Sequence, residues 1–199
     1  MTQDWQRARR PEQKEQRTES ILNAAAQLLD SEGLEGTGLN AIARAAGISK
    51  GNIYRYFESR EAVLMRLLLV ENAKAMNDLA TRLEKLAGSK DPRRIAKAFG
   101  ESMTNRKTYW LLFGSLANIL EHNVSFETIV EFKRELVAGL NPALEALQRT
   151  LPEVPFERIF GVLSFLGMSA CGIWPHAHPA EATLKVTEIP EFAHLKIDF

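Results

Sequence analysis

The chain has 199 residues, 45% of them hydrophobic and 25% charged, and its 25 basic side chains are balanced by 25 acidic ones. This length can bury a sizeable core, and the neutral balance argues against a general polyanion binder, because non-specific nucleic-acid proteins are basic overall. The single cysteine, Cys171, excludes an intrachain disulfide and a multi-cysteine zinc site, and the lack of an apolar signal core near the N-terminus favours a cytoplasmic protein.

The first two elements are a charged arm and an amphipathic helix. Residues 1–13 mix basic and acidic side chains, and we expect a mobile arm there. Residues 14–31 repeat apolar side chains at helical spacing from Ile21 to Leu29, and Gly33 is expected to end this helix.

The next segment predicts two short helices joined by a tight turn. Residues 39–46 carry one apolar stripe at intervals of three and four, and residues 50–57 place Ile53 on a buried face. Gly47 tolerates the positive φ at which the first helix stops, and Ser49 is placed to cap the second helix through its hydroxyl. This is the geometry of a DNA reader, and we call residues 38–57 the reader segment.

The side chains left outside the reader segment suit a DNA groove. Lys and Arg neutralise phosphate, Tyr hydroxyls bond phosphate oxygens, and Asn can pair bidentately with adenine. A helix pair that merely packs a small domain would not explain why Tyr54 and Tyr56 lie opposite Ile53 and Phe57 beside three cations. The predicted DNA contacts are Thr37, Asn40, Arg44, Ser49, Lys50, Gly51, Asn52, Tyr54, Arg55, Tyr56 and Arg60.

Residues 37–64, T-G-L-N-A-I-A-R-A-A-G-I-S-K-G-N-I-Y-R-Y-F-E-S-R-E-A-V-L, resemble the helix-turn-helix signature of the tetracycline-repressor (TetR) family of bacterial transcription regulators. The resemblance covers roughly residues 15–70 and implies an all-α protein with a three-helix DNA-binding domain at residues 14–60. It also implies a helical ligand-binding and dimerisation domain at residues 61–199. The departure is Gly38, where the family usually has a capping Ser or Thr that touches phosphate; Thr37 is the expected substitute.

The rest of the chain predicts helices only. A long helix capped by Ser59 follows the reader segment, a Gly-Ser-Lys-Asp-Pro break lies at residues 88–92, and Pro142 should kink or divide the third of four later helices. Residues 159–174 predict a buried helix that is too interrupted by Gly and Ser to span a membrane. The predicted helices are residues 60–86, 92–103, 107–121, 126–150 and 156–174. The sequence leaves the tail after Pro175 open, where residues 180–188 could form one more short helix and residues 192–199 another.

The resemblance implies that these helices form both a ligand pocket and a dimer interface. The candidate pocket residues are Phe99, Met103, Tyr109, Trp110, Phe113, Phe132, Phe165, Met168 and Cys171. Because charged anchors are sparse on these apolar faces, an uncharged or amphipathic hydrophobic effector is preferred over a strongly ionic one, although such a stripe is more often ordinary core. The candidate interface residues, small enough to allow close helix approach or apolar, are Gly161, Ser164, Phe165, Gly167, Met168 and Gly172.

The sequence gives weaker support to two other kinds of site, a metal site and a reactive cysteine. His176 and His178 have a spacing that could place two imidazoles on a metal with His122 or Glu121, but two histidines between prolines more often form a surface loop. Cys171 lies in an apolar segment where a thiol behaves as a small hydrophobe. No P-loop, dinucleotide fingerprint, HExxH or nucleophile elbow is present, so no catalytic residue, metal or cofactor is predicted.

The sequence therefore favours a ligand-responsive transcription regulator that binds double-stranded operator DNA as a homodimer, with no membrane partner. A repressor released by a small molecule is the preferred form, and the long helix after Ser59 is the expected transmitter. An activator, or a regulator controlled by a protein partner, would share every reader residue. A helical enzyme or ligand carrier would instead show turnover or tight ligand binding without sequence-specific DNA affinity.

Overall fold

The computed structural model describes residues 11–197 and residue 199, and every regular element among them is a helix, which confirms the all-α prediction. These residues form two compact units. The first unit contains the described residues up to Val70 together with Ser115–Arg134, and the second contains Glu71–Gly114 and Glu135–Phe199. Of the arm predicted at residues 1–13, residues 1–10 lie outside the described residues, and residues 11–13 are instead the first residues of helix α1.

The first unit is built on helices α1 (Pro11–Gly36), α2 (Leu39–Ala45) and α3 (Lys50–Ile53), followed by the start of α4 (Arg60–Glu84). Helix α1 is interrupted at Gly33, where φ is +69°. This left-handed conformation is favourable for glycine alone, which explains why the predicted helix end coincides with the interruption.

The core of the first unit decides which face of the reader segment points outward. Ile21 and Leu29 of α1, Ile42 of α2, Ile53 of α3 and Leu64 of α4 are all fully buried. Helix α1 packs on α2, and α2 packs on α3. Each such side chain contributes about 1.5–3 kcal/mol when it leaves water, so rotating α3 to bury its polar face would be costly.

A later part of the chain completes the first unit. It consists of a one-turn π-helix at Leu116–Leu120, a loop, and the first nine residues of α7 (Phe126–Ala138). Leu116, Leu120 and Phe132 are buried. Helices α4 and α7 therefore each contribute residues to both units.

The second unit holds the remaining helices. Before α5, Asp91 accepts a hydrogen bond from the Arg93 amide at 2.9 Å and Pro92 occupies the first turn, so the predicted break at residues 88–92 ends in a regular helix cap. Its other helices are α5 (Pro92–Met103), α6 (Lys107–Ser115), α8 (Asn141–Thr150), α9 (Phe156–Ala177), α10 (Glu181–Thr187) and a 3₁₀ turn at Ala193–Leu195.

One predicted helix boundary is confirmed and others differ. The expected division near Pro142 is present, because α7 ends at Ala138 and α8 begins at Asn141. Pro142 lies in the first turn of α8, where a missing amide costs nothing. Of the possible helix at residues 192–199, the described residues form only the 3₁₀ turn Ala193–Leu195. The helix predicted at residues 107–121 changes to the π-helical turn at Leu116–Leu120 before it ends.

Helix α9 corrects the prediction of a buried helix. Ile159, Leu163, Ala170 and Trp174 form one buried face, but only 17% of its most apolar 18-residue window is buried. By length and composition alone, α9 is also apolar enough to cross a membrane, contrary to the prediction, although helices that pack in soluble proteins satisfy the same criterion. The opposite face of α9 therefore lacks a covering element among the described residues.

Candidate nucleic-acid interface

A glycine flanks helix α2 on each side. Gly38 is its N-cap, with φ at −82°, and its carbonyl accepts the first helical hydrogen bond from Ile42 at 2.9 Å. At the other end Gly47 has φ at +66°, its amide donates to the Arg44 carbonyl at 3.1 Å, and the Ile48 amide donates to the Ala43 carbonyl at 3.0 Å. This is a Schellman closure, and it fixes the turn that the sequence predicted.

Helix α3 is shorter than predicted. It ends at Ile53 rather than at Phe57, and residues 54–56 continue as a turn in which the Tyr56 amide donates to the Ile53 carbonyl at 2.8 Å. Ser49 is the N-cap residue but its hydroxyl makes no capping bond, so that prediction is wrong. The Ser49 carbonyl instead accepts from the Asn52 amide at 2.9 Å. Phe57 is half-buried, whereas Ile53 is fully buried.

Most predicted DNA contacts share one property, which is exposure. Tyr54 exposes 53% of its surface, and a side chain built on Gly51 would meet no atom within 4 Å, so a DNA backbone could approach the helix closely there. Tyr56 and Arg60 are half-buried. The exposed members are Asn40, Arg44, Ser49, Lys50, Gly51, Asn52, Tyr54 and Arg55.

Thr37 and Arg60 are used inside the first unit. Thr37 is fully buried and its hydroxyl donates to the Gly33 carbonyl at 2.7 Å. This burial contradicts the expectation that Thr37 takes over the phosphate contact at Gly38, since a side chain in the core cannot reach phosphate. The Arg60 guanidinium donates through Nε to the Thr37 carbonyl at 2.8 Å and through Nη2 to the Leu34 carbonyl. Arg60 therefore ties the end of α1 to the start of α4.

The candidate ligand-pocket residues do not all lie together. Phe132 belongs to the first unit, whereas the other eight belong to the second. Met103, Tyr109 and Trp110 are buried, and Phe99, Phe113 and Cys171 are half-buried. Phe165 and Met168 are wrongly placed on an inward face, because they expose 69% and 70% of their surfaces.

A buried polar pair lies within this apolar group. Tyr109 stacks on Phe113, with ring centroids 5.6 Å apart, and its hydroxyl donates a long hydrogen bond of 3.5 Å to Oδ1 of Asn72. Burial raises the pKa of Tyr109 to about 12, with a smaller contribution from Cys171. Asn72 is 1% exposed, and within the described part of the chain its Nδ2 has no hydrogen-bond partner. A buried donor without an acceptor costs about 1–3 kcal/mol.

The candidate dimer residues form the exposed face of α9. Gly161, Phe165, Met168 and Gly172 follow one another at intervals of three and four and are exposed or flank exposed side chains. Ser164 and Gly167 lie at the edge of this stripe and are half-buried. Two apolar side chains at about 70% exposure on one stripe are unusual for a surface that stays in water.

One histidine of this region, His178, is engaged in packing, and Cys171 is half-buried, whereas His176 is exposed. His178 stacks on Trp174 with centroids 4.4 Å apart, and its Nδ1 lies 3.0 Å from the Trp174 carbonyl. Among the described residues no group of three or more His, Cys, Asp or Glu is arranged to hold a metal ion. Burial raises the pKa of the Cys171 thiol, which makes a reactive thiolate less populated.

Sequence analysis did not identify two residues that the structure places in notable contacts, Asn72 and Glu58. Asn72 lies on α4 among apolar neighbours, and a polar residue on an otherwise apolar helix face was the available signal. Glu58 follows the reader segment directly, and its Oε1 accepts a hydrogen bond from the Ser125 amide at 2.8 Å. Because Glu58 and Ser125 are 67 positions apart in the chain, no local pattern pairs them.

Two family models match this chain. The one described as bacterial regulatory proteins, tetR family, matches residues 21–67, and the one described as tetracyclin repressor-like, C-terminal domain, matches residues 69–199. Together they include both the reader segment and the helices that follow it.

Individual relatives resemble shorter parts of the chain. It is 47% identical over 60 residues to the uncharacterized HTH-type transcriptional regulator Rv1255c of Mycobacterium tuberculosis, covering 30% of this chain and 28% of that protein. The HTH-type transcriptional regulator UidR of Escherichia coli is 32% identical over 56 residues, covering 28% and 29%. The chain thus covers less than a third of the length of these relatives.

A solved structure resembles nearly the whole chain. The fatty acid degradation regulator FadR from Bacillus halodurans aligns with a TM-score of 0.53 over 90% of this chain and 94% of that one. Its sequence identity is 16%, so the likeness concerns the fold.

Proposed function

The chain belongs to the TetR family of bacterial regulatory proteins, and on that premise we propose that it is a dimeric repressor that a small hydrophobic molecule releases from a palindromic operator. The observation that carries the DNA-binding part is the face of α3. Lys50 and Asn52 are exposed beside Gly51, while Ile53 on the other side is fully buried. A polar helix face held outward by its own core residue is what a major groove accepts.

The exposed side chains divide by chemistry into base readers and phosphate contacts. Asn40, Arg44, Lys50 and Asn52 carry the groups that pair with base edges. Tyr54, Tyr56 and Arg60 position phosphates, with Ser49 and Arg55 beside them; Thr37 is left out because it is buried. Two donors of Arg60 already bind carbonyls, and its Nη1 lies 3.5 Å from Oε1 of Glu61. Because a guanidinium has five donors in all, a phosphate contact remains compatible with this clamp.

The exposed stripe of α9 supports the proposed homodimer. A second copy, related by a two-fold axis, would cover Phe165 and Met168 with the same side chains of its own α9. The small residues Gly161 and Gly172 on this stripe would let the two helices approach closely. A two-fold dimer presents two reader segments, which suits half-sites one helical turn apart on a palindrome.

The proposed effector site is the apolar group around the buried pair of Asn72 and Tyr109. Tyr109, Phe113 and Cys171 supply aromatic and sulfur surface, and the Nδ2 of Asn72 is a donor that an incoming acceptor would satisfy. We therefore propose an uncharged, mostly hydrophobic effector with one hydrogen-bond acceptor, such as a ketone or an ester. The effector would favour a form whose readers no longer match the grooves, with α4 as transmitter, and its differential affinity sets how far DNA binding falls.

The central experiment is selection of random-sequence duplex DNA on the purified protein at physiological salt. We expect enrichment of a palindrome, because a cytoplasmic dimer would present two copies of the reader segment related by a two-fold axis. Asn52→Ala should then relax preference at one base pair by roughly 1–3 kcal/mol, whereas Arg60→Ala should weaken all sites alike and lower the salt slope. Failure to enrich any sequence would favour a ligand carrier or an enzyme instead, and equal losses at all sequences for both variants would remove the division into base and phosphate contacts.

The effector class is tested by thermal unfolding with matched pairs of small molecules. Acetophenone against ethylbenzene and 2-decanone against decane each differ by one carbonyl oxygen. We expect the carbonyl member of at least one pair to raise the Tm of the wild type more than its hydrocarbon partner, and Asn72→Leu to abolish that difference. Stabilisation by polyionic metabolites alone would contradict the hydrophobic effector.

A further inference from the structure

Helix α7 begins with a capping arrangement that is incomplete within its own sequence. Ser125 is the N-cap residue: its carbonyl accepts from the Ile129 amide at 3.1 Å, and its Oγ accepts from the Thr128 amide at 3.2 Å. In a capping box the third helical residue is Glu or Gln, which accepts a hydrogen bond from the amide of the N-cap residue. Here that position is Thr128, whose hydroxyl instead accepts from the Ser125 Oγ at 2.9 Å.

Glu58 supplies the missing acceptor from a distant part of the chain. Its Oε1 accepts from the Ser125 amide at 2.8 Å, across 67 residues. This bond is the main reason that the pKa of Glu58 is lowered, and hydrogen bonds from the Thr128 and Ser125 side chains act in the same direction. The carboxylate also lies at the positive end of the α7 dipole. The capping box of α7 is therefore closed by a residue outside α7.

The position of Glu58 in the chain makes this contact more than a helix cap. It directly follows the reader segment and precedes Ser59, whose Oγ caps α4 by accepting from the Ala62 amide at 3.1 Å. The next residue, Arg60, holds the carbonyls of Thr37 and Leu34. Three consecutive residues thus attach the end of the reader segment to the starts of α7 and α4 and to the end of α1.

The segment that Glu58 contacts is part of the first unit, although it comes from the half of the chain that matches the C-terminal family model. The loop between the π-helix and α7 is held a second time, by the ion pair between Lys133 of α7 and Glu121. Directly before that loop lies the π-helix Leu116–Leu120, a feature that is rare and often lies at functional sites. Helix α7 then continues to Ala138, past the end of the first unit at Arg134.

We propose that Glu58 is a positioning residue that holds the reader segment in its DNA-binding arrangement by closing the capping box of α7. Movement at the start of α7 is then transmitted to the reader segment, in addition to any route through α4. The inference concerns the reader and α7 only and does not depend on which effector the protein binds.

The test separates capping of α7 from positioning of the reader. Glu58→Ala removes both, whereas the double variant Glu58→Ala with Thr128→Glu restores a capping box inside α7 and leaves the reader segment without its contact to α7. Glu127→Ala is the matched control, because it removes a carboxylate from the first turn of the same helix. Hydrogen exchange of the full-length protein is measured at the amides of residues 125–129 and 50–57, together with Tm.

In Glu58→Ala we expect a lower Tm and exchange at least about threefold faster in both amide groups. In the double variant Tm and the amides of residues 125–129 should recover, while residues 50–57 stay fast. Operator affinity should remain at least about fivefold weaker in the double variant with an unchanged salt slope, because Glu58 binds no phosphate. Glu127→Ala should leave residues 50–57 unchanged.

Two results would overturn the proposal. If the double variant restores the protection of residues 50–57 and operator affinity, Glu58 is only a cap. If Glu58→Ala leaves the exchange of residues 50–57 at the wild-type rate, the contact does not hold the reader. The exchange measurement needs neither DNA nor effector, so its outcome is separate from the success of operator selection.

Discussion

Replacing Phe165 by Ala should weaken the proposed dimer by roughly a hundredfold. Full burial of a Phe side chain contributes about 1.5–3 kcal/mol, and 69% of Phe165 is exposed in the single chain and available to a partner. About 1.5 kcal/mol is therefore lost in each copy. A two-fold interface contains the substitution twice, which gives about 3 kcal/mol in total, and each 1.4 kcal/mol changes a dissociation constant about tenfold.

The assay is sedimentation equilibrium over protomer concentrations that bracket the wild-type midpoint. Phe126→Ala is the matched control, because Phe126 on α7 is 74% exposed and loses the same atoms on a different helix. We expect the control to dimerise like the wild type. Equal dissociation constants for the wild type and Phe165→Ala, or an equal loss in Phe126→Ala, would refute the assignment of α9, and a monomeric wild type at micromolar concentration would refute the dimer.

Four further substitutions test the packing and the hydrogen bonds of the fold. The pKa of Tyr109 is raised from 10.0 to about 12, so the free energy of unfolding is at its full value below pH 10 and falls by about 3 kcal/mol as the pH rises through 12. Tyr109→Phe should lack this loss in urea unfolding at alkaline pH. Equal losses in the wild type and the variant would show that Tyr109 is not the group responsible. A Cβ at Gly139 would lie 2.7 Å from Nδ2 of Asn72, so Gly139→Ala should lower the free energy of unfolding by about 1–3 kcal/mol, whereas Gly100→Ala, in open space inside α5, should raise it by up to about 1 kcal/mol; the reverse order would contradict this packing. Arg60→Ala should lower Tm in the absence of DNA, because two carbonyls lose their charged donor, and an unchanged Tm would mean that the clamp contributes nothing.

Local chemistry accounts for most of what the sequence predicted correctly. The start of α5 follows from a Pro in the first turn and an Asp cap, and the turn before α3 follows from the positive φ that Gly47 allows. Within the reader segment, the alternation of Ile53 with polar neighbours was enough to orient α3. Each of these signals lies within a few residues of the feature that it determines.

The features that escaped prediction depend on residues far apart in the chain. Thr37 was expected at the surface, but burial by the first unit turns its hydroxyl toward Gly33. The contact of Glu58 with Ser125 joins segments that no periodicity connects. Helix α9 is apolar nearly all round, so periodicity could not tell which face the same chain covers, and Phe165 was placed inward for that reason.

In the proposed dimer, the exposed face of α9 also sets a time limit on each newly made chain. Before it meets another copy, such a chain displays Phe165 and Met168 to solvent. With an association rate constant of about 10⁶ M⁻¹s⁻¹, a protomer at about 10 nM waits on the order of 100 s for a partner. During that wait the apolar stripe is accessible to proteases and chaperones and can lead to aggregation. A low rate of synthesis would therefore lengthen the time that each chain spends as an exposed monomer.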